Sequence, residues 1–244
     1  MTPEEFEKRN RETIARMVAD ADLRELSQAF LEAAMRYEYS HHFTWLGLPV
    51  IQLPQDIVAL QELIWRVKPD AIVETGVARG GSLVFYASML ALLGSPGRVV
   101  GVDSEIRAHN RKTIEDHPLG HRIVLIEASS ADGSTALRVR DLLEGASRVL
   151  VVLDSNHTHD HVKKELALFS PLVRKGGYLV VLDTIVERLS DAVIGERPWG
   201  RGNSPGTAVV EFLAANPRFA IDSDLQEKLL ISVAPGGFLR CVSD

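Results

Sequence analysis

From Pro3 to about Tyr37 apolar residues recur at helical spacing, with Ile14, Met17 and Val18 followed by Leu23, Leu26 and Phe30 and then Ala33 and Ala34. This pattern predicts one or two amphipathic helices ahead of the main fold. The stretch Tyr39–Pro49, YSHHFTWLGLP, is aromatic and histidine-bearing without a period, and reads as a loop able to line a pocket. Pro54 suits the first turn of a helix that carries Ile57, Leu60, Leu63, Ile64 and Val67 on one face.

From Asp70 the pattern changes to short apolar runs alternating with helical ones. Strands are predicted at Ala71–Thr75, Arg98–Asp103, Arg122–Glu127, Arg148–Asp154 and Tyr178–Asp183. Helices are predicted at Leu83–Leu93, after Ser104, at Thr135–Glu144 and at His161–Leu172. Continuous apolar strands such as RVLVVLD are what a parallel sheet covered on both faces requires. At the C-terminal end, Lys228–Ala234 and Phe238–Val242 flank Pro235-Gly-Gly, and strands joined by so short a turn run antiparallel. The expected fold is a doubly wound, Rossmann-like α/β sandwich of seven strands, mostly parallel, closed by an antiparallel hairpin. Residues 1–53 form a helical appendage and loop, and 54–244 the main domain.

Composition narrows the function classes. The formal charge of −6 supplies no basic field for nucleic acid, and no apolar run reaches the roughly 20 residues of a membrane span. The acidic N-terminus MTPEEFEKRNRET is unlike a secretory signal, and the one cysteine, Cys241, leaves no disulfide framework. A cytoplasmic homo-oligomer is expected; the N-terminal helices read as packing on the core, with an oligomer contact or a cover over a substrate site as the alternative.

The segment Ile72–Ser82, IVETGVARGGS, runs from a strand through a glycine-rich bend into a helix. Ligands of doubly wound sheets sit beyond the carboxyl ends of the strands, most often at such a turn. The spacing is not the G-x-G-x-x-G of a pyrophosphate cradle, and Glu74 at the strand's end would repel a pyrophosphate. Glu74 suits a ligand bearing an ammonium or sulfonium cation instead. Asp103, at the end of the second strand, is placed to accept two ribose hydroxyls. S-adenosylmethionine satisfies both acids, with Thr75, Gly76, Ala78, Gly80 and Ser82 of the bend and Ser104 as further contacts. Arg79 reads as an exposed loop residue.

A second constellation follows. Asp154 and Asp183 end neighbouring strands, and two close carboxylates repel unless a cation shares the site. Mg²⁺ takes oxygen ligands and keeps several waters, so these two acids and the Thr184 hydroxyl would suffice. His157, in the loop after Asp154, can serve as general base near neutral pH. His159 and His161 read as local hydrogen-bonding or capping residues, and the His41-His42 pair as a weak metal candidate.

These residues resemble the cephalosporin hydroxylase family, whose members carry a class I methyltransferase fold and include rhamnosyl O-methyltransferases. The resemblance runs from about Tyr37 to the C-terminus. It rests on Val73–Gly80, on VVLDSNHTHDHVKKELALFSPLVRKGGYLVVLDT, on RPWGRGNSPGTAVVEFL and on KLLISVAPGGFLR. The second of these segments is also similar to metal-dependent catechol-type methyltransferases. The resemblance implies Asp154 and Asp183 as Mg²⁺ ligands, Ser129 and Ser130 near the adenine with Asp132 beside them, and Trp199 and Asn203 over the substrate. The chain departs from the family at Leu182, where Glu is frequent. His41 and Trp45 are further substrate candidates from their loop. The expected activity is Mg²⁺-assisted O-methyl transfer from S-adenosylmethionine to a hydroxyl of a small natural product or sugar. An NAD-dependent oxidoreductase and a non-catalytic S-adenosylmethionine-binding subunit are the competing readings.

Overall fold

The computed structural model describes residues 1–244. Helices α1 (Pro3–Ala19) and α2 (Ala21–Met35) come first, followed by a small antiparallel pair, β1 (Phe43–Trp45) and β2 (Leu48–Val50). The pair corrects the loop expected over 39–49: Leu46 and Gly47, both at positive φ, form its turn. Then come α3 (Pro54–Val67), β3 (Ala71–Thr75), α4 (Gly81–Leu92), β4 (Arg98–Asp103), α5 (Ala108–Glu115), β5 (Ile123–Glu127), α6 (Gly133–Leu142) and β6 (Val149–Leu153). The chain continues through α7 (His159–Phe169), β7 (Tyr178–Val181), the short α8 (Asp191–Ile194), α9 (Pro205–Ala215), β8 (Phe219–Ile221), α10 (Ser223–Lys228) and β9 (Phe238–Cys241).

The main sheet has seven strands in the order β5-β4-β3-β6-β7-β9-β8. Strands β3 to β7 are parallel, and β9 runs antiparallel to both neighbours. All residues of β3, β6 and β7 are buried, as strands covered on both faces must be. One apolar cluster packs α3 and α4 on the sheet and takes in Leu31, Leu48 and Val50 from the N-terminal segment; the other lies under α6, α7 and α9. Cys241 is a buried strand residue of the second cluster.

The closing hairpin differs from expectation in its first strand. Lys228–Ala234 is not a strand; β9 pairs with Phe219–Ile221, and α10 occupies part of the connection. Polar anchors compete with a ladder here. Asp222 caps α10 by accepting from Leu225 N and also accepts from Tyr178 and Arg66. Ser232 Oγ and Val233 N are both given to the buried Asp56. No helix is long and apolar enough to cross a membrane.

Candidate active site

A cavity of about 760 Å³ opens beyond the carboxyl ends of β3, β4, β6 and β7, within the size range of small-molecule sites. A smaller cavity of about 240 Å³ under α1 and α2 contains none of the strand-tip acids. Chemistry therefore belongs to the first.

Its nucleoside-sized side is lined by Gly76, Ala78, Asp103, Ser104, Ser129 and Ser130. The Asp103 carboxylate is partly committed: Oδ2 accepts from Val77 N at 2.8 Å and Oδ1 from Glu105 N at 3.2 Å, so it also ties the bend to β4. The bend's conformation is set by packing. A Cβ on Gly76 (φ +91°) would lie 1.9 Å from the Asp154 carbonyl oxygen, so the end of β6 presses directly on this glycine. Ala78 adopts φ +44°, a left-handed conformation that L side chains enter at a cost. Asp132 caps α6 by accepting from Ser134 N.

Glu74 does not reach the cavity, which corrects the direct cation contact expected of it. It is fully buried, and Ser82 Oγ at 2.6 Å and Tyr86 OH at 3.0 Å donate to its two oxygens. Burial is the main reason its pKa is pushed up to about 8, with Asp103 adding repulsion. Ser82 is thus spent on Glu74. Thr75 is buried with its hydroxyl unpartnered and does not line the main cavity, and Gly80 borders a side alcove rather than the cavity itself.

Asp154, His157 and Asp183 offer ligand atoms that all lie within 4.8 Å of one another. His157 Nε2 is 3.3 Å from Asp183 Oδ2, and its ring meets Trp199 edge-on with centroids 4.9 Å apart. Asp183 sits at φ +54°, the strained position that turns its side chain out of the strand line. Asp154 keeps a small opening to the cavity, yet protein packs closely around it. Its pKa is raised well above the ordinary value, first by burial and then by Asp183, Glu74 and Glu165. Neither Asp154 nor Asp183 has a lysine or arginine ion-pair partner. Uncompensated negative charge with converging carboxylates fits a divalent cation, and Mg²⁺ needs no more than two such protein oxygens. Thr184 is not part of this set: its hydroxyl donates to Pro235 O at 2.9 Å.

The remaining candidates divide. His41 and Trp199 line the cavity, together with the apolar Met35, Val186, Leu189 and Val193. Trp45 does not: its Nε1 donates to Ser88 Oγ and its ring packs edge-on against Phe85. Asn203 is structural, with Oδ1 accepting from His159 N and Nδ2 donating to Pro198 O. His42 packs on Tyr39, and His159 bridges to Thr207 and Glu211 of α9. His161 was underrated by the sequence reading. It lines the cavity, its Nε2 lies 3.1 Å from Ser130 Oγ and 3.0 Å from Ser155 Oγ, and the buried Glu165 stands behind it. A glutamate on the buried face of an otherwise amphipathic helix, four residues after a histidine, was the signal for it.

A profile of the family described as "Rhamnosyl O-methyltransferase/CmcI" matches residues 37–242. The rhamnosyl O-methyltransferase of Mycobacterium tuberculosis (strain ATCC 25618 / H37Rv) is 28% identical over 198 residues, covering 80% of this chain and 77% of that protein. That of Mycobacterium leprae is 30% identical over 142 residues, 58% of this chain and 60% of that one. Among solved structures, CmcI with Mg and SAM superposes with a TM-score of 0.58 at 20% identity, over 83% of this chain and 78% of the other. The O-methyltransferase from Bacillus cereus in complex with SAH gives 0.50 at 20% identity, over 82% of each chain. These structures share the fold. With the profile spanning both strand-tip constellations, the chain belongs to the rhamnosyl O-methyltransferase/CmcI family.

Proposed function

We propose that this chain is an S-adenosylmethionine-dependent, Mg²⁺-assisted O-methyltransferase acting on a hydroxyl of a small natural product or sugar. The observation that carries the reading is the convergence of Asp154, His157 and Asp183 within 4.8 Å at the wall of one large cavity. The names of the relatives, rhamnosyl O-methyltransferases, favour a sugar hydroxyl.

When bound, S-adenosylmethionine supplies an electrophilic methyl group and the divalent cation lowers the pKa of the acceptor hydroxyl. Asp103, Ser104, Ser129 and Ser130 hold the nucleoside, and His161 fixes the Ser130 hydroxyl from behind. Asp154 and Asp183 hold the cation. His157 Nε2 would take the acceptor hydroxyl's proton as that oxygen bonds to the methyl carbon and the methyl–sulfur bond breaks to leave S-adenosylhomocysteine, with Asp183 beside it to stabilise the imidazolium. Trp199 and the apolar wall exclude water and orient the acceptor, so that much of the rate comes from positioning.

The test is a screen of hydroxylated acceptors, glycosides included, with a radiolabelled methyl donor, in Mg²⁺ and in EDTA. Label transfer that EDTA abolishes supports the reading. A second reading is a non-catalytic donor-binding subunit: Leu182 is an apolar core residue at the position where the resemblance drawn from sequence implies a glutamate. Donor binding with no label transfer to any acceptor in Mg²⁺ would establish that alternative.

A further inference from the structure

Helix α2 ends before residue 37, where the family match begins, yet it is fastened to the segment that walls the active-site cavity. Gln28 Nε2 donates to Arg188 O at 2.9 Å. One turn on, the half-buried Glu32 takes both polar groups of Ser190. Its Oε1 accepts from Ser190 N and its Oε2 from Ser190 Oγ, each at 2.7 Å. Ser190 stands at the N-cap of α8, but its hydroxyl caps nothing there because Glu32 has claimed it. Bonds to an ionised acceptor are about twice as strong as neutral ones, so this is a firm joint.

What the joint holds is the acceptor side of the cavity. Residues 190–197 carry Val193 and Arg197 into its lining, two positions before Trp199. Arg197 Nη1 is turned back on the same segment, to Val193 O and Ile194 O, and the backbone bonds of α8 close on Ser190 and Asp191. The two bonds from Ser190 to Glu32 are therefore the only hydrogen bonds that tie residues 190–197 to the rest of the chain. The remaining hold is apolar, through the cluster that contains Ile194 and Leu31. The preceding turn, Thr184–Arg188, has anchors of its own: Ile185 N donates to Val233 O, Thr184 Oγ to Pro235 O and Ser204 Oγ to Glu187. Asp183, at the head of that turn, is thus placed without α2, whereas the wall beyond it is not. The C-terminal end of α2 also reaches the cavity directly, through Met35.

We propose that Glu32 is a positioning residue for the acceptor: by clamping Ser190 it sets where Val193, Arg197 and Trp199 stand, and so which acceptors the cavity admits. Glu32 touches neither the acceptor nor the cation and acts through Ser190 alone. The N-terminal helix pair is then a working part of the acceptor site. The acceptor role rests on the methyltransferase reading of the cavity; the clamp itself does not.

Hydrogen–deuterium exchange and steady-state kinetics on the full chain test it, with phenyl α-L-rhamnoside as the acceptor probe. The variants are Glu32→Ala and Glu32→Gln, the second of which keeps a carbonyl oxygen for one Ser190 donor. In Glu32→Ala the amides of residues 190–197 are expected to exchange about 10- to 100-fold faster, the range for losing bonds to a charged group. Those of β3, β6 and the Thr184–Arg188 turn should hold. The probe's KM should rise by about tenfold or more while kcat and affinity for S-adenosylhomocysteine stay within about twofold, and Glu32→Gln should fall between. If residues 190–197 exchange in Glu32→Ala as in the wild type, apolar packing alone holds the wall and the assignment is wrong. Faster exchange throughout the fold, or kcat and donor affinity falling along with the rise in KM, also overturns it, because Glu32 is then a general stabiliser. A wild type that does not methylate the probe defeats the sugar reading, and the exchange comparison still decides for or against the clamp.

Discussion

His157 Nε2 stands 3.3 Å from Asp183 Oδ2, so the imidazole and any cation held by Asp154 and Asp183 share a carboxylate oxygen. A cation at Asp183 therefore competes with His157 for that carboxylate, and the edge-on contact 4.9 Å away passes the change to the Trp199 indole. Titrating Mg²⁺ into a protein carrying Trp45→Phe and Trp65→Phe is expected to give a saturable change in Trp199 fluorescence. Asp154→Asn should abolish the change and lower turnover by at least about 100-fold, the scale at which removing a charged positioning group acts. The fold should persist, because Asn keeps the side chain's shape and cannot ionise among Asp183, Glu74 and Glu165, whose repulsion and burial already raise the Asp154 pKa. A fluorescence titration identical in the variant would take Asp154 out of the cation site.

Glu74 makes stability depend on pH in a definite direction. Its pKa in the fold is about 8, against an ordinary 4.5, so the folded state holds the proton more tightly than the unfolded chain. The resulting contribution to stability is complete below pH 4.5 and is lost as pH rises through 8. Metal-free protein should therefore melt at progressively lower temperature between pH 5 and pH 8.5. Glu74→Gln, which cannot ionise and keeps groups for Ser82 and Tyr86, should flatten this slope. Parallel melting curves for the two proteins across that range would show that Glu74 stays ionised in the fold.

The parallel core was legible because β3 and β6 are buried on both faces and read as unbroken apolar runs; Ala71–Thr75 and Arg98–Asp103 are found at their expected bounds. The strand-tip acids were legible for the same reason, since topology carries Asp103, Asp154 and Asp183 to one edge. What sequence pattern did not carry was direction. Glu74 points into the core because Ser82 and Tyr86, one and two turns into α4, offer hydroxyls there. Thr184 turns to Pro235, and Trp45 to Ser88. Apolar content misled at Lys228–Ala234, where Asp56, 176 positions away from Ser232 in sequence, claims the backbone that a ladder would need. His161 reads from sequence as a local hydrogen-bonding or capping residue, because spacing alone does not show that the buried Glu165 stands behind it and turns its ring to the cavity wall.

Gly76 joins the two constellations mechanically. A methyl group there would meet the Asp154 carbonyl at 1.9 Å, and φ +91° disfavours any side chain besides. Gly76→Ala is expected to destabilise by about 3 kcal/mol or more, the scale of a clash combined with backbone strain. Because the clash displaces Asp154, Mg²⁺ affinity should fall along with donor affinity. Urea denaturation and the Trp199 titration measure the two effects; a loss of donor binding with unchanged cation binding would uncouple them.

The two tryptophans proposed from sequence for the acceptor should behave differently. Trp45→Phe removes one hydrogen bond to Ser88, worth about 1 kcal/mol, and should leave both Michaelis constants unchanged. Trp199→Ala opens the cavity wall and strips the flank of His157, so the acceptor KM should rise by about tenfold or more while donor affinity holds. Steady-state kinetics with the acceptor found by the label screen decide the matter, and a raised acceptor KM in Trp45→Phe would return that loop to the site.

Leu182 is 1% exposed and packs in the cluster that contains Val180, Ile185 and Val233, one residue before Asp183. Leu182→Glu places a further carboxylate beside an already crowded set of acids. Without a counter-ion the added charge has to be buried or neutralised, so the metal-free variant should melt several degrees lower than wild type. A cation that accepts the new oxygen binds the folded state alone, and by mass action Mg²⁺ should recover the lost stability in proportion to its concentration. The same variant should bind Mg²⁺ about tenfold or more tightly, from the gain of one charged ligand. Thermal melts across a Mg²⁺ series read both effects together. A deficit that Mg²⁺ leaves untouched would mean that position 182 faces only the core, and that this chain holds its cation with Asp154 and Asp183 and without a further acid there.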